Sequence, residues 1–544
     1  MAVIPGDRIE RVARETFGFE ALRPGQREAI EAVLARRDTL AVMSTGSGKS
    51  AIYQIAGLLT PGATVVVSPL IALQRDQVDD LAERAAGGAA QLNSRISRAE
   101  RHRALAELAE DALEFLFLAP EQLANPDVLG ELVAARPSLL VVDEAHCISE
   151  WGHDFRRDYL RLGAVAEALG RPAILALTAT AAPPVRAEIV ERLGLRDPEI
   201  LIRGFDRPNI RLAVERFHGD GGEERKLRAL ADRIADGPPG GIVYVATRRQ
   251  AEELASELCA RDLRAAAYHA GIRGAERDAV QERFMDSDLD VVCATTAFGM
   301  GIDKPDVRWV LHSEISESLD AYYQEIGRAG RDGEPAEAVL FYRQEDLGLR
   351  RFFSGTGHVD VDEIGQVLAA VREHDGPVEP GALQEETDLS QTKLTTAVSR
   401  LEDAGAVEVL PGGEVAPASD APADAVRAAA EAEEKRRSFD RSRVDMMRGY
   451  AETDGCRRAY VLSYFGEPFE PPCGNCDNCA SGRAVPAAAA DVPFAVGARV
   501  AHGQWGEGVV QRYDDDALVV LFDEAGYKTL ALEVVRERGL LEPA

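Results

Sequence analysis

The amino-acid sequence predicts an α/β protein in which two tandem parallel-sheet lobes are followed by several smaller modules. Short apolar runs bounded by polar residues alternate with helical patterns over roughly the first 350 residues. Such runs are typical of strands that are buried on both faces of a parallel sheet. A Gly-rich loop follows one run and adjacent carboxylates follow another, at the strand ends where open α/β sheets bind ligands.

Composition limits how this protein can meet its partners. The formal net charge is -30, from 62 basic and 92 acidic residues, so a surface that attracts nucleic acid uniformly is excluded. Any contact with DNA must therefore use local basic patches. The N-terminal residues lack the basic-then-apolar pattern of a signal peptide, and no apolar run approaches ~18 residues. We expect a soluble, cytoplasmic protein that does not bind membranes.

The first predicted strand, at 39–43, leads into the loop Ser44-Thr45-Gly46-Ser47-Gly48-Lys49-Ser50. Glycines in such a loop let backbone N–H groups close around phosphates. Lys49 is expected to reach the terminal phosphates, and Ser50 to coordinate Mg²⁺. The sequence therefore predicts a nucleotide site, and the alternative is a Gly-rich loop that binds no nucleotide.

An apolar run at 139–142 is followed directly by Asp143 and Glu144. Asp143 is suited to hold Mg²⁺ through water, and Glu144 to polarise an attacking water. Two rings and two polar groups then stand within six positions, at Trp151, His153, Phe155 and Arg156. Because rings stack on bases and Arg binds phosphate, this segment is a candidate nucleic-acid sensor. The alternative is a strand end followed by an ordinary surface loop.

Further strands of the first lobe are predicted at 65–70, 115–121 and 174–180. The hydroxyls of Thr178 and Thr180 could connect the carboxylate pair to a second site, or they could simply cap the strand.

The second lobe has predicted strands at 241–245, 265–268 and 290–294 but no phosphate loop of its own. It carries Arg328 and Arg331, which would share one face if that segment were helical. We expect these two arginines to stabilise transition-state charge on the first lobe's nucleotide. The alternative is a pair of surface arginines.

These motifs together resemble the RecQ family of superfamily 2 helicases, which are built on two RecA-like lobes. The resemblance covers roughly the first 350 residues and includes Asp-Glu-Ala-His-Cys-Ile-Ser-Glu-Trp-Gly-His-Asp-Phe-Arg at 143–156. The other matching segments are 17–26, 45–50, 68–73, 297–305 and 324–333. The resemblance implies ATP-driven DNA unwinding with 3′→5′ polarity in repair and recombination, on single strands and on forked or junction duplexes.

The resemblance also implies roles for individual residues. Gln26 would read adenine with Arg23 near the base, although Gln26 taken alone is better explained as a surface residue. Asp303 would belong to the nucleotide site. His146 and His153 would couple DNA contact to hydrolysis. Facing the γ-phosphate would be Gln324, Arg328 and Arg331.

After the second lobe the chain departs from the family pattern. Residues 359–417 precede the zinc module, and they read as helices at 367–374, 380–388 and 390–404 followed by a two-stranded wing with a Gly-Gly turn. This winged-helix segment has a net charge of -10, from thirteen acidic and three basic residues. Because phosphate contacts dominate nucleic-acid affinity, the charge favours a spacer or protein-docking role over duplex binding.

Four clustered cysteines follow a long helix that is predicted to end near residue 451. They are Cys456, Cys473, Cys476 and Cys479. Four thiolates suit tetrahedral zinc with no open position, hence a structural site, and the segment resembles the RecQ zinc module. A catalytic or redox role is the alternative. The tail reads as a small β-barrel similar to the Tudor-like C-terminal domain of UvrD/PcrA-type helicases, which would imply a protein partner such as RNA polymerase.

The expected boundaries are 1–205 and 206–350 for the lobes, 359–417 for the winged helix, 425–482 for the zinc module, 483–493 for a linker and 494–544 for the barrel. The first alternative function is a DNA-stimulated translocase that remodels complexes with little strand separation. The second is a docking adaptor whose motor is a vestige.

Overall fold

The computed structural model describes most of the chain. The described residues are 6–69, 71–84, 87–110, 112–149, 155–296, 298–299, 304–348, 359–374, 376–410, 414–418, 422–467, 469–484, 492–514, 517–523 and 525–544. The chain forms two compact units. The first comprises Met1–Asp346 with Arg448–Ala488, and the second comprises Leu347–Met447 with Ala489–Ala544.

The first lobe of unit 1 is a seven-stranded parallel sheet in the order β3-β4-β2-β5-β6-β1-β7. Its strands are β1 (Thr39–Met43), β2 (Thr64–Val67), β3 (Ala89–Leu92), β4 (Phe115–Leu118), β5 (Leu139–Val142), β6 (Ala173–Thr178) and β7 (Glu199–Arg203). Its helices are α1 (Gly6–Glu15), α2 (Gln26–Leu34), α3 (Lys49–Leu59), α4 (Ile71–Glu83), α5 (Arg98–Ala109), α6 (Pro126–Ala135), α7 (Leu162–Ala168) and α8 (Pro183–Arg192). Every residue of β5 is fully buried, as expected for a strand covered on both faces.

The strand ends differ from the sequence prediction in an informative way. β2 ends at Val67, so Ser68 stands just beyond the sheet edge, and β4 ends before a 3₁₀ turn at Pro120–Ala124. Two strands of this lobe were not predicted. β3 contains Ala-Ala-Gln-Leu and β7 has charged residues at both ends, so neither shows an apolar run.

The second lobe is a six-stranded parallel sheet in the order β10-β11-β9-β12-β13-β8. Its strands are β8 (Ile210–Phe217), β9 (Gly241–Tyr244), β10 (Ala265–Tyr268), β11 (Val291–Ala294), β12 (Trp309–His312) and β13 (Ala336–Arg343). Its helices are α9 (Gly222–Asp236), α10 (Arg248–Cys259), α11 (Gly274–Met285) and α12 (Leu319–Ile326). Gly241 is required in β9 because a Cβ there would lie 2.1 Å from the ring of Trp309.

Unit 1 also contains the cysteine-bearing module. Its helices are the end of α16 (Ala425–Glu452), then α17 (Arg457–Tyr464) and α18 (Asp477–Ala480). This module packs on the second lobe. Asp477 accepts a hydrogen bond from the backbone N–H of Val214 at 3.1 Å, and the guanidinium of Arg216 donates to the carbonyl of Ala451.

Unit 2 begins with three helices and an antiparallel strand pair. They are α13 (Val361–Glu373), α14 (Pro380–Thr387), α15 (Gln391–Asp403), β14 (Val407–Val409) and β15 (Val415–Pro417). The prediction that the first helix starts at residue 367 was wrong. Asp360 and Glu363 form a reciprocal capping box, and this starts the helix at Val361. The expected Gly-Gly turn lies outside the described residues.

The C-terminal part of unit 2 is a five-stranded antiparallel sheet in the order β19-β18-β17-β16-β20. Its elements are β16 (Arg499–His502), β17 (Gly506–Asp514), β18 (Ala517–Phe522), β19 (Gly526–Ala531), α19 (Leu532–Arg538) and β20 (Glu542–Pro543). A separate apolar cluster fills it, in which Leu518 and Val520 are fully buried. Within the part of the chain that the structure describes, no helix is long and apolar enough to cross a bilayer.

Candidate nucleotide site and zinc centre

The Gly-rich loop between β1 and α3 has the backbone geometry of a phosphate-binding turn. Gly46 and Gly48 have φ values of 78° and 77°, which favour glycine, and the helix begins at Lys49. The ammonium of Lys49 donates to the carbonyls of Met43 at 3.0 Å and Ser44 at 3.4 Å. Burial lowers the pKa of Lys49, while Glu144 and Asp143 oppose that shift. The N-terminus of α3 and a cation thus meet at one point, as anion binding requires.

Gln26 is buried against this loop. Its amide nitrogen donates to the carbonyls of Ser47 at 3.0 Å and Gly48 at 2.9 Å, and its oxygen accepts from the backbone N–H of Arg23 at 2.8 Å. The guanidinium of Arg23 donates to the carbonyl of Gly46. Both residues predicted to lie near adenine therefore touch the phosphate loop. Contact of Gln26 with a base would exchange some of these bonds.

Asp143 and Glu144 follow β5 at the same sheet edge. Ser68, at the end of the neighbouring β2, donates to Asp143 Oδ2 at 3.1 Å. Glu144 has a φ of 47°, a left-handed conformation that a non-glycine residue adopts at a cost. Burial, reinforced by the charge of Glu144 and opposed by that of Lys49, raises the pKa of Asp143 to about 7. Carboxylate oxygens are ligands that Mg²⁺ prefers, so this pair fits the ion.

A buried hydrogen-bond network joins this pair to β6. The hydroxyl of Thr178 donates to the carbonyl of Thr180 at 3.0 Å, and its oxygen lies 2.8 Å from His146 Nδ1. The Thr178 hydroxyl therefore contacts both the Thr180 carbonyl and the His146 imidazole. The same Nδ1 lies 3.3 Å from Glu144 Oε2. The strand end therefore connects to the carboxylate pair through His146.

Hydrogen bonds hold both ends of the aromatic-rich segment that follows the carboxylates. Ser149 donates to Glu188 of α8 at 2.6 Å, and the backbone N–H of Arg156 donates to the carbonyl of Cys147 at 2.8 Å. Buried Tyr159 donates to the carbonyl of Asp143 at 2.9 Å. Of the predicted DNA-contacting residues, Phe155 and Arg156 are half-buried here, whereas Trp151 and His153 lie outside the described residues, as does Asp303.

The second lobe contributes the other side of the cleft. α12 ends at Ile326, so Arg328 and Arg331 do not share a helical face. Arg331 lies at the phosphate loop, where its Cγ would be 3.7 Å from a Cβ on Gly46, and its charge acts on Lys49. Arg328 is buried within the second lobe, where its guanidinium would be 2.9 Å from a Cβ on Gly299. Gln324 is half-buried on α12.

One residue of this cleft, Arg207, was not predicted from the sequence. Arg207, in the segment between the lobes, donates from one nitrogen to the carbonyls of Thr45 and Gly327, both at 3.2 Å. Its other terminal nitrogen donates to the carbonyls of Ala329 at 2.9 Å and Gly330 at 3.0 Å. The sequence marked this position only as the expected boundary between the lobes, at 205 and 206. An arginine in a turn that joins two lobes was the signal available.

The four clustered cysteines form a compact thiol site. Their sulfur atoms all lie within 4.8 Å of one another, and the sulfurs of Cys473 and Cys479 are 3.8 Å apart. Tetrahedral zinc with Zn–S bonds of ~2.3 Å requires sulfurs about 3.8 Å apart, so these residues fit the ion. Backbone N–H groups of Asn475 and Cys479 donate to two of the sulfurs at 3.4 Å. Such bonds stabilise thiolates, as in structural zinc sites.

The thiol site is tied to the segment that holds Arg207. Arg457, fully buried next to Cys456, pairs with Asp477 through two hydrogen bonds. Arg458 pairs with Asp206 at 2.8 Å. The module therefore contacts the residue directly before Arg207 in the chain.

Family models match three parts of the chain. A DEAD/DEAH box helicase model matches residues 23–188, a helicase conserved C-terminal domain model matches 225–333, and a RecQ zinc-binding model matches 421–480. The first lobe, the second lobe and the thiol module therefore each match one of these family models.

Curated relatives cover most of the chain. A Bacillus subtilis protein named probable ATP-dependent DNA helicase RecS is 36% identical over 87% of this chain and 92% of its own length. The ATP-dependent DNA helicase RecQ of Synechocystis sp. is 35% identical over 87% of this chain and 98% of its own. RecQ of Bacillus subtilis is 34% identical, over 88% and 68%.

Solved structures agree at the level of the fold. The DUF1998 helicase MrfA bound to DNA and AMPPNP has a TM-score of 0.54 and 18% identity, covering 77% of this chain and 63% of that one. Lhr of Mycobacterium smegmatis has a TM-score of 0.50 and 22% identity, over 78% and 61%. Together with the motor and zinc-binding matches, the relatives show that the chain belongs to the RecQ family of ATP-dependent DNA helicases.

Proposed function

We propose that this protein is a 3′→5′ DNA helicase of DNA repair and recombination, which couples ATP hydrolysis to translocation on a single strand and to duplex separation. One observation carries the proposal. Lys49, the Asp143–Glu144 pair and Arg331 converge on one cleft, although they come from separate strands and from both lobes. A cleft with cations on both walls and carboxylates at its base suits phosphoryl transfer to water.

The roles follow from position and chemistry. The backbone of Thr45–Ser50 would cradle the phosphates, with Lys49 on the terminal ones. Ser50 and Asp143 would hold Mg²⁺, which supplies charge neutralisation on the phosphate oxygens when bound. Glu144 would orient the attacking water. The remaining proposed contacts are those of Gln26 and Arg23 with adenine, Asp303 with the nucleotide, and Gln324, Arg328 and Arg331 with the γ-phosphate.

Binding of DNA is proposed to affect the Asp143–Glu144 pair through the aromatic-rich segment at 149–156. Trp151, His153, Phe155 and Arg156 would meet the single strand by stacking and by phosphate contact. A displacement there would move Tyr159, which holds the carbonyl of Asp143. Phe155→Ala is therefore expected to leave basal ATPase within about 3-fold while reducing stimulation by single-stranded DNA. Equal stimulation of the variant and the parent would exclude Phe155 from the sensor.

The acidic winged-helix segment is proposed as a spacer or protein-docking element. Within it, Lys393 pairs with Glu363, and Arg400 is buried against Glu433 at 2.9 Å. Two of its three basic side chains are thus engaged by carboxylates and poorly placed to meet phosphate. The C-terminal sheet, proposed to be Tudor-like, would bind a protein partner such as RNA polymerase.

The proposal is tested by strand separation on purified substrates. Duplexes with a 3′ overhang, a 5′ overhang, a fork or a four-way junction are mixed with protein, ATP and Mg²⁺, and released strand is measured. We expect unwinding of 3′-tailed and forked DNA, and none by Lys49→Ala. ATPase stimulated by single strands without strand release would instead establish the translocase alternative, which the names of the relatives do not favour.

A further inference from the structure

The segment that joins the two lobes contacts both walls of the cleft through one side chain. The guanidinium of Arg207 donates to the Thr45 carbonyl in the phosphate loop and to the carbonyls of Gly327, Ala329 and Gly330. A single nitrogen makes both the Thr45 and the Gly327 bonds, each at 3.2 Å. Arg207 therefore links the phosphate loop directly to the loop that carries Arg328 and Arg331.

The acceptors explain why an arginine stands here. α12 ends at Ile326, and the carbonyls just past a helix end lack intrahelical partners. A cation at that end is also favoured by the helix dipole. Two terminal nitrogens in a rigid plane can meet several carbonyls at once, whereas a lysine ammonium is a point charge on a flexible stem. The guanidinium thus supplies an ordered cap for the arginine-bearing loop.

A neighbouring side chain reinforces the same loop. Asn209 donates to the carbonyls of Gly330 at 2.8 Å and Glu334 at 2.9 Å. Gly330 has a φ of +56°, and a Cβ there would lie 2.4 Å from the Asn209 amide nitrogen. The loop between the two arginines is therefore shaped around the joining segment.

The segment itself is held firmly on its other side. The ring of Phe205 stacks on Phe465 of the zinc module with centroids 4.5 Å apart, and its carbonyl accepts from the hydroxyl of Tyr323 on α12 at 2.8 Å. Asp206 pairs with Arg458 at 2.8 Å. These contacts fix the two residues before Arg207. The backbone of Arg207 therefore has a defined position, from which its guanidinium extends to both walls of the cleft.

We infer that Arg207 is a positioning residue of the ATP cleft, which sets the distance between the phosphate loop and the loop bearing Arg328 and Arg331. Its hydrogen bonds are made to backbone carbonyls of the two walls, so it acts by positioning the side chains that those walls carry. The inference rests on the proposed ATP hydrolysis and adds a part to it. Misplacement of a catalytic group by about 1 Å can cost ~10²-fold in rate, so loss of this link should lower turnover far more than nucleotide binding.

The test compares Arg207→Lys and Arg207→Ala with the matched control Arg211→Ala. Arg211 lies on β8 just beyond the joining segment and pairs with Glu337 of β13. Steady-state ATPase is measured with saturating single-stranded DNA, together with the melting temperature. We expect both Arg207 variants to lower kcat by ~10- to 100-fold with KM for ATP within ~3-fold. Arg211→Ala should match the parent protein.

A second measurement separates positioning from general damage. Affinity for ADP alone and for ADP with aluminium fluoride, a transition-state mimic, is compared for each protein. Arg207→Lys should keep the ADP affinity and lose most of the extra affinity for the mimic. Unchanged kcat in Arg207→Lys, or equal loss of both affinities, overturns the inference while leaving the proposed function in place. An inactive parent protein would overturn both.

Discussion

The hydroxyl of Thr178 offers a sharp test of how the carboxylate pair is held. Thr178→Val keeps the shape of a buried residue and removes its hydrogen bonds with Thr180 and His146, which span 2.8 to 3.2 Å. The orientation of His146, and with it the contact to Glu144, then lacks its anchor. We expect the coupling of DNA binding to hydrolysis to fail before folding does.

The magnitude follows from the groups left behind. The hydroxyl contacts the carbonyl and the N–H of Thr180 and Nδ1 of His146, and all of these are buried. A buried polar group deprived of its partner costs ~1–3 kcal/mol, and relaxation of the site makes the sum less than additive. The free energy of unfolding should therefore fall by about 2–4 kcal/mol. In a unit of this size the melting temperature should fall by a few degrees, so the variant stays folded at 25 °C.

The assay is ATPase activity with and without single-stranded DNA, beside thermal melting, for the parent, Thr178→Val and Thr178→Ser. Thr178→Ser retains the hydroxyl and is the matched control. Thr178→Val should keep basal turnover within about 3-fold and lose at least ~10-fold of the stimulated rate. The reasoning is refuted if Thr178→Val and Thr178→Ser are stimulated equally while only the first loses stability.

Three more outcomes are expected. Glu144→Gln should bind ATP normally but hydrolyse it ~10²- to 10⁴-fold more slowly, because an amide cannot accept the water's proton; turnover near that of the parent removes Glu144 as base. Cys476→Ser should lose zinc, seen in metal content, and melt at a lower temperature, since three thiolates leave the site incomplete; retained zinc would contradict the four-thiolate site. Because the folded-state pKa of Asp143 is raised to about 7, its cost to stability grows from about pH 4 to pH 7 and then levels off. In metal-free buffer, Asp143→Asn should thus be more stable than the parent by ~2–4 kcal/mol at pH 8 and nearly equal at pH 4, and a pH-independent difference would show that the shift is absent.

The spacing of neighbouring residues in the sequence was enough to predict much of the fold and several of the site residues. The phosphate loop, the Asp143–Glu144 pair after an apolar strand, and the four cysteines were all identified from neighbouring residues. Each depends on backbone geometry over a few positions, which sequence patterns report directly. The same patterns identified the α/β lobes, because buried parallel strands read as apolar runs. In the first lobe, strands β3 and β7 were missed because their residues form no such run.

The tertiary structure decided what joins those pieces. Thr45 and Arg207 are 162 positions apart, and Arg207 lies 120 positions before Gly327, so no local pattern records their contact. Sequence spacing also suggested that Arg328 and Arg331 act as a pair, yet the end of α12 turns them to different surroundings. The contact between His146 and Thr178, which are 32 positions apart, likewise has no local signal. Residue types set which groups are available, and the packing of the two lobes sets which of them meet.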